Sequence, residues 1–424
     1  MERRKFINSS VSMLTGFSII PAHVLGGIRY TAPSDQLTKA IIGVGRMGQG
    51  TGPDAMGHIA YPGSRLVAIC DVDSHHLKTA LEKCPYGIKT YTDYRELLSD
   101  PGIDIVHIVT PPHWHGIMSV EAARAGKDVW CEKPMTRTIG EGIRVKEAMA
   151  QYGRVFRLNT WFRFKDDFYG NGTTVAPIKK LIQSGLLGWP LKVTINAANG
   201  FKLEHKHLGL KTLEVQPPPP ELNYDMWLGP APYKPYHPHR VHWTFRGYWD
   251  YDGGVLGDMG QHYLDPVQYF LGKDNTSPIR VDVDAPEQHN DAVGVWNRIE
   301  FTYADGCKII LDAENKDIDA PYIEGPSGKL YKGFQSDIPD LKRKLEAFQD
   351  PEPQLTDFQE AVIKRQKFAL NEENGFRSCT LVNIGVIAVR LGRSLEFDPI
   401  KLEFTGDHAA NLLINQPMRA PWRI

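Results

Sequence analysis

The sequence predicts a two-domain α/β protein: a doubly wound parallel sheet, then an α+β domain built on a large open, mostly antiparallel sheet. Three observations carry this. Short β-branched apolar runs alternate with helical stretches as far as about residue 160. The chain then becomes rich in aromatic, His and Pro residues, up to about residue 250. Strand-like runs return over residues 293–301 and 308–311, close together as in an antiparallel sheet.

Residues 1–33 read as an N-terminal tail. Arg3-Arg4-Lys5 precedes a weakly apolar stretch over residues 11–25, interrupted by Gly16 and Pro21. Spanning a bilayer takes about 20 consecutive apolar residues, so an export signal is expected and a stable transmembrane span is not. The arginine pair resembles a twin-arginine signal, the route for folded proteins, and points to the periplasm, with retention at the membrane if the segment stays attached.

Residues 34–160 read as a doubly wound, Rossmann-type domain. Ala40-Ile41-Ile42 leads into a glycine loop, and strand character returns over residues 65–70, 88–91, 104–109 and 128–131. Such near-continuous apolar runs suit a parallel sheet buried on both faces. Residues 116–125 place Met118, Ala122 and Ala125 on one helical face, and Gly126 ends that helix. Residues 161–424 form the second domain, in which Pro217-Pro218-Pro219-Pro220 is a stiff loop.

With 49 basic and 50 acidic residues the formal net charge is -1, and no basic face is available for nucleic acid. Cys70, Cys84, Cys131, Cys307 and Cys379 show no CxxC pairing and read as buried thiols.

Gly43-Val44-Gly45-Arg46-Met47-Gly48 is a GxGxxG after an apolar strand, with Asp71 at the end of the next strand. The glycines let the backbone approach a pyrophosphate, while the Asp71 carboxylate accepts from a ribose 2′-hydroxyl and repels a 2′-phosphate, favouring NAD over NADP. Gly50-Thr51-Gly52-Pro53 shortens or restarts the helix expected there. Thr110-Pro111-Pro112-His113-Trp114-His115 and Glu132-Lys133-Pro134 fall at carboxyl ends of parallel strands, where open α/β sheets bind ligands. Thr110, Pro111, His115 and Glu132 are therefore candidate cofactor contacts. Lys133, beside a nicotinamide, could hydrogen-bond a reacting hydroxyl.

The segment from Gly253 to Asp265 is the sharpest. On a helix Asp258 and His262 are i and i+4 and share a face, an arrangement that fixes the imidazole tautomer for proton transfer; Asp265, three residues beyond His262 and within reach of that face, is a substrate candidate. Upstream, residues 236–249 offer rings to stack on sugar C–H faces and cations to bind hydroxyls, with His242, Arg246 and Tyr248 as substrate candidates. His237, His239 and His242 could instead be metal ligands, but they lack a fixed spacing and a carboxylate partner, so no metal is expected. Trp161 and Arg163 are substrate candidates that could equally pack the domain seam.

In combination, GxGxxG, Asp71, Glu-Lys-Pro and the segment ending in Asp258, His262 and Asp265 resemble the Gfo/Idh/MocA oxidoreductase family. The likeness runs through Trp227-Leu228-Gly229-Pro230 to Arg390-Leu391-Gly392-Arg393, over most of residues 37–400. It implies NAD(P) at the glycine loop, Lys133 and His262 as the proton-handling pair, and Asp258 as the partner of His262. It also implies sugar-like or polyol substrates and homo-oligomers formed through the second domain's sheet. Asp252 stands where the family's usual Gly-Gly-Gly begins, so the backbone approach before the helix should differ.

The expected function is hydride transfer between a secondary hydroxyl of a sugar or glycoside, such as C3 to give a 3-keto-glycoside, and NAD. An exported enzyme meets no replenished NAD pool, so the cofactor should be tightly held and recycled; the electron acceptor is left open. A rival is an NAD-dependent glycosidase working by oxidation, elimination, hydration and reduction. The resemblance places the Glu-Lys-Pro lysine outside that branch, so Lys133 favours a dehydrogenase. A cofactor-binding sensor without turnover is the rival of another class.

Overall fold

The computed structural model describes residues 36–50, 57–164 and 172–424. The expected export segment and the Thr51-Gly52-Pro53 interruption lie outside the described residues, as does the side chain of Trp161. No described helix is long and apolar enough to cross a membrane.

Strands β1 (Thr38–Ile42), β2 (Arg65–Cys70), β3 (Lys89–Tyr91), β4 (Ile105–Ile108), β5 (Asp128–Glu132) and β6 (Phe156–Asn159) form a parallel sheet in the order β3-β2-β1-β4-β5-β6. The near-continuous apolar runs have the expected cause, since every residue of β1, β4 and β5 is buried. The order reverses between β1 and β4, so the loops leaving their carboxyl ends diverge and open a crevice. The helix expected over 116–125 occupies His115–Arg124, and Gly126 leaves it with a φ of 77°.

The second sheet has nine strands: β7 (Lys192–Ile195), β8 (Arg280–Asp284), β9 (Arg298–Thr302), β10 (Lys308–Asp312), β11 (Ile323–Gly325), β12 (Gly328–Tyr331), β13 (Gln335–Ser336), β14 (Leu395–Asp398) and β15 (Glu403–Phe404). Their order is β13-β12-β11-β7-β10-β9-β8-β14-β15, and every pairing except β7 with β10 is antiparallel. Alternation along β9 buries Ile299 and Phe301 and leaves Arg298, Glu300 and Thr302 partly exposed. The buried face lies under the Gly254–Phe270 and Glu372–Leu391 helices, so close that a side chain at Gly385 would strike both Leu256 and Phe301. The opposite face carries ion pairs such as Lys308–Glu300 and Lys192–Glu324.

The strand expected over 293–301 begins only at Arg298. Upstream, Val293 bonds through its N–H to Gly247 and through its carbonyl to Gly209, so its backbone ties site loops together instead of extending the sheet. Four of the five cysteines are buried and all five are free thiols, as the spacing indicated.

A buried amide joins the two domains beside the site. Gln261, on the Gly254–Phe270 helix, accepts the Met135 N–H at 2.9 Å and donates at 2.9 Å to the Gly375 carbonyl and to Ser378 Oγ. The loop after β5 is thereby fixed against the helix carrying Asp258.

Candidate active site

A cavity of about 400 Å³ opens along the carboxyl ends of β1, β2, β4 and β5 and is closed from the other side by the second domain. Gly43, Gly45, Arg46 and Met47 line one end of it. At Gly43, with a φ of 91°, a Cβ would sit 2.8 Å from the Val109 carbonyl, so only glycine lets the loop pass β4 there. Gly48 does not line the cavity. A Cβ on it would fall 2.5 Å from the Gly43 carbonyl, so it serves the packing of the turn on itself rather than ligand contact. The helix after the loop is a single turn, Arg46–Gln49, ending at Gly50 with a φ of 68°.

Asp71 also lines the cavity. Its carboxylate accepts the Val44 N–H at 2.8 Å and the Asp73 N–H at 3.0 Å, which holds it against the glycine loop. His76 lies 3.6 Å away, and Asp71 raises its pKa even though burial works the other way. His242, expected at the substrate, stands at this end too, with its ring 4.8 Å from that of His76. Asp73, His76 and His242 bring potential metal-ligand atoms within 4.8 Å of one another, although one Asp73 oxygen already caps the Ser74–Leu81 helix. His237 and His239 are elsewhere engaged: His237 Nδ1 accepts the His239 N–H, and His239 Nδ1 bonds the Tyr248 hydroxyl at 2.8 Å.

Thr110 and Pro111 line the middle of the cavity, whereas His115 lies beneath them, fully buried. Its ring nitrogens meet the Pro134 carbonyl at 2.6 Å and the Thr110 carbonyl at 2.8 Å, so it braces the two loops instead of meeting a cofactor. Glu132 lines the wall and is bonded to His58 at 2.8 Å and Asn159 at 2.6 Å. Burial alone would raise this carboxyl, but His58 and then Asn159 hold it down at about 2.

At the far end Lys133 Nζ donates to both the carbonyl oxygen of Asp258, at 2.6 Å, and its Oδ1, at 2.7 Å. The Arg246 guanidinium lies 2.9 Å from the same Oδ1, and His207 Nε2 lies 3.0 Å from Oδ2. Because His207 Nδ1 accepts the Glu204 N–H, its proton sits on Nε2 and is donated to Asp258. Burial opposes the charge on Asp258, yet Arg246, Lys133 and His207 together hold its pKa well below the usual range.

Several expected contacts are corrected here. The carboxylate of Asp258 turns to Lys133, Arg246 and His207, and not to His262 four residues on. The His262 ring stacks on Phe162, centroids 4.8 Å apart, and its Nδ1 lies 3.1 Å from Thr160 Oγ1; it is outside the cavity lining, one turn beyond Asp258. Arg163 and Asp265, both taken as substrate contacts, form a buried forked ion pair at 2.8 and 2.9 Å. Each charge needs the other once water is gone. Tyr248 is fully buried, with its hydroxyl on His239. Arg246 keeps its place at the cavity, but bound to Asp258.

Sequence reasoning missed His207, did not single out Trp243 within its stretch, and gave Asp252 no role. His207 sits on a short turn (His205–His207) with no register to the Asp258 helix. Trp243 covers the glycine loop, with the Arg46 guanidinium 4.4 Å from its ring. Asp252 lines the cavity beside Asp258; its departure from the family pattern was visible, its chemistry was not.

The description of an oxidoreductase family's NAD-binding Rossmann fold matches residues 37–160, and that of its C-terminal alpha/beta domain matches residues 171–424. The chain belongs to the Gfo/Idh/MocA oxidoreductase family. It is similar to the inositol 2-dehydrogenase of Salmonella typhimurium, 31% identical over 159 residues, which are 37% of this chain and 44% of that protein. It is also similar to the scyllo-inositol 2-dehydrogenase (NAD(+)) of Bacillus subtilis, 33% identical over 159 residues, 37% of this chain and 43% of that protein. The matches thus span less than half of these relatives' length. In fold it resembles the WlbA dehydrogenase of Bordetella pertussis, solved with NADH and UDP-GlcNAcA. The TM-score is 0.59 at 17% identity, covering 86% of this chain and 99% of that one. The Gfo/Idh/MocA chain is accordingly an oxidoreductase-family protein with an NAD-binding Rossmann domain.

Proposed function

We propose that this protein is an NAD-dependent dehydrogenase acting on a secondary hydroxyl of a sugar, glycoside or polyol. The observation that carries the reading is one cavity holding both the glycine cradle and the Lys133–Asp258 pair. The curated relatives named above, both inositol dehydrogenases, support this substrate class. NAD, when bound, supplies the hydride acceptor. Gly43 and Gly45 would hold its pyrophosphate and Asp71 its adenosine ribose.

Lys133 spends two of its three N–H groups on Asp258. The third serves the substrate oxygen, whose negative charge it stabilises as that oxygen develops alkoxide character. Asp258, fixed by Arg246 and His207, sets the direction of that ammonium. Trp227, Trp243 and Phe245 wall the cavity and exclude water, and their flat faces suit sugar C–H groups. The open sheet's charged face is the surface on which copies of the chain would associate.

Asp71 sets the preference for NAD. Asp71→Ser should bring the affinities for NAD and NADP closer by roughly 1–3 kcal/mol, the worth of a charge-assisted bond, read by titration with each nucleotide. A wild-type protein that prefers NADP would refute the assignment of this strand end.

The protein is further proposed to be exported folded with NAD already in place. Purified without added nucleotide, it should release nicotinamide on denaturation, and a sugar or polyol should reduce that nicotinamide in one turnover. Empty protein with weak, reversible NAD binding would contradict the recycling reading. Release of an aglycone without an added acceptor would favour the redox-neutral glycosidase instead.

A further inference from the structure

At the Asp71 end of the cavity two imidazoles and a carboxylate converge from both domains, and the dehydrogenase reading gives none of them a task. Asp73 is the N-cap and His76 the third residue of the Ser74–Leu81 helix, which follows β2. His242 comes from the aromatic loop of the second domain. Each residue offers one ligand atom, and the three atoms lie within 4.8 Å of one another. Asp73 is buried, and both histidines line the cavity. The carboxylate partner that the histidines of residues 237–242 lack in the sequence is thus supplied by the Rossmann domain.

Asp73 spends Oδ1 on the backbone N–H groups of His75 and His76, at 2.8 and 3.2 Å, and its Oδ2 lies 3.4 Å from His242 Nε2. Tetrahedral metal bonds of about 2.0–2.1 Å place neighbouring ligand atoms roughly 3.4 Å apart, so this pair already has the spacing. The His76 ring lies edge-on to that of His242, with centroids 4.8 Å apart, and is only partly buried, so it has room to turn in. Asp71 Oδ2 stands 3.6 Å from His76 Nδ1, as a carboxylate that orients a ligand imidazole does. A helix N-terminus opposes a cation with about half a charge, which the carboxylates of Asp71 and Asp73 outweigh. The frame is held by backbone. The Ser74 N–H donates to the Glu221 carbonyl and the Asn223 N–H to the Val72 carbonyl, both at 2.9 Å, which ties the second domain to the chain on either side of Asp73.

We propose that Asp73, His76 and His242 bind one divalent cation of the zinc class, which clasps the two domains together at the Asp71 end of the cavity. Two imidazoles and a carboxylate suit zinc and its first-row neighbours, whereas calcium and magnesium want oxygen ligands throughout. Three protein ligands leave a fourth position for water. Beside His242, Trp243 covers the glycine loop with the Arg46 guanidinium 4.4 Å from its ring. A cation that fixes His242 therefore also fixes Trp243 over that loop, and cation and NAD should bind with positive coupling. The coupling rests on the proposed reading of the cavity as an NAD site; the cation site does not.

The test uses tag-free protein freed of metal by a chelator. Zn²⁺ is titrated by calorimetry and Co²⁺ by visible absorption, with Mg²⁺ and Ca²⁺ as controls. The wild type should take up one Zn²⁺ per chain and give the visible bands of protein-bound Co²⁺, while the controls bind no more than the variants do. His242→Ala and His76→Gln should lose both signals. The His242 side chain is 40% exposed, so its removal should leave the metal-free denaturation midpoint unchanged. Zn²⁺ should also tighten NAD binding by roughly 5–150-fold, and NAD should tighten Zn²⁺ binding by the same factor, with neither effect in His242→Ala. Absence of stoichiometric Zn²⁺ binding, or binding that survives both substitutions, would overturn the site. Stoichiometric binding that leaves NAD affinity unchanged would overturn the clasp. If metal-free and Zn²⁺-loaded protein alike bind no NAD, the reading of the cavity fails, and the Co²⁺ bands of wild type against the variants alone decide whether the cation site exists.

Discussion

Lys133→Met is expected to lower turnover by about 10²–10⁴-fold while leaving NAD binding intact. The ammonium is the one cation placed by the strand end itself: it follows β5 directly and is aimed by two bonds to Asp258, at 2.6 and 2.7 Å. Methionine keeps the stem and its packing and removes the charge proposed to steady the reacting oxygen. The fold should survive, because Asp258 keeps Arg246 and His207. Steady-state kinetics with nucleotide titration measure both parts. A variant with wild-type kcat would remove Lys133 from the chemistry, and one that lost NAD affinity instead would make it a cofactor contact.

Asp258→Ala should have the largest effect on stability, up to about 3–5 kcal/mol, because it takes from Lys133 and Arg246 the anion that both contact and leaves them only the Asp252 carboxyl beside them. The denaturation midpoint should fall at unchanged slope. Asp258→Asn keeps the shape and should lose less. The pH dependence has a definite sign. A carboxyl held well below its ordinary value stabilises the fold above about pH 4, where the unfolded chain has lost its proton, and the contribution disappears only in stronger acid. Lys133 and Asp258 act as one unit, so the doubly substituted protein should lose less activity than the product of the single losses. An Asp258→Ala midpoint equal to wild type would mean that the cluster adds nothing to the fold.

What the sequence showed and what it hid follow a physical division. Strand ends and turns are local, so the glycine loop, Asp71 and Lys133 could be placed from the apolar run preceding each. The face of the Asp258 helix was equally legible, since helical spacing puts Asp258 and His262 together. Which partner Asp258 chooses is not local: a short carboxylate in a dry site goes to the strongest charges within reach. These came from Lys133, 125 positions earlier, and from Arg246 on a loop. Arg163 and Asp265 looked like two free polar groups for a sugar, and 102 residues of separation concealed that they neutralise each other. Tyr248 and the run at Val293 shared that fate, drawn into loop packing that no periodicity announces.

The central claim is direct hydride transfer from a carbinol carbon into this cavity, and isotope transfer tests it most directly. The NAD-loaded protein would be mixed with a polyol or glycoside deuterated at its carbinol carbons, and the nicotinamide released by denaturation would be weighed by mass spectrometry. The account predicts one deuterium on the nicotinamide C4 from the wild type and a large reduction from Lys133→Met. Nicotinamide that is reduced without deuterium, or never reduced by any carbinol offered, would contradict it.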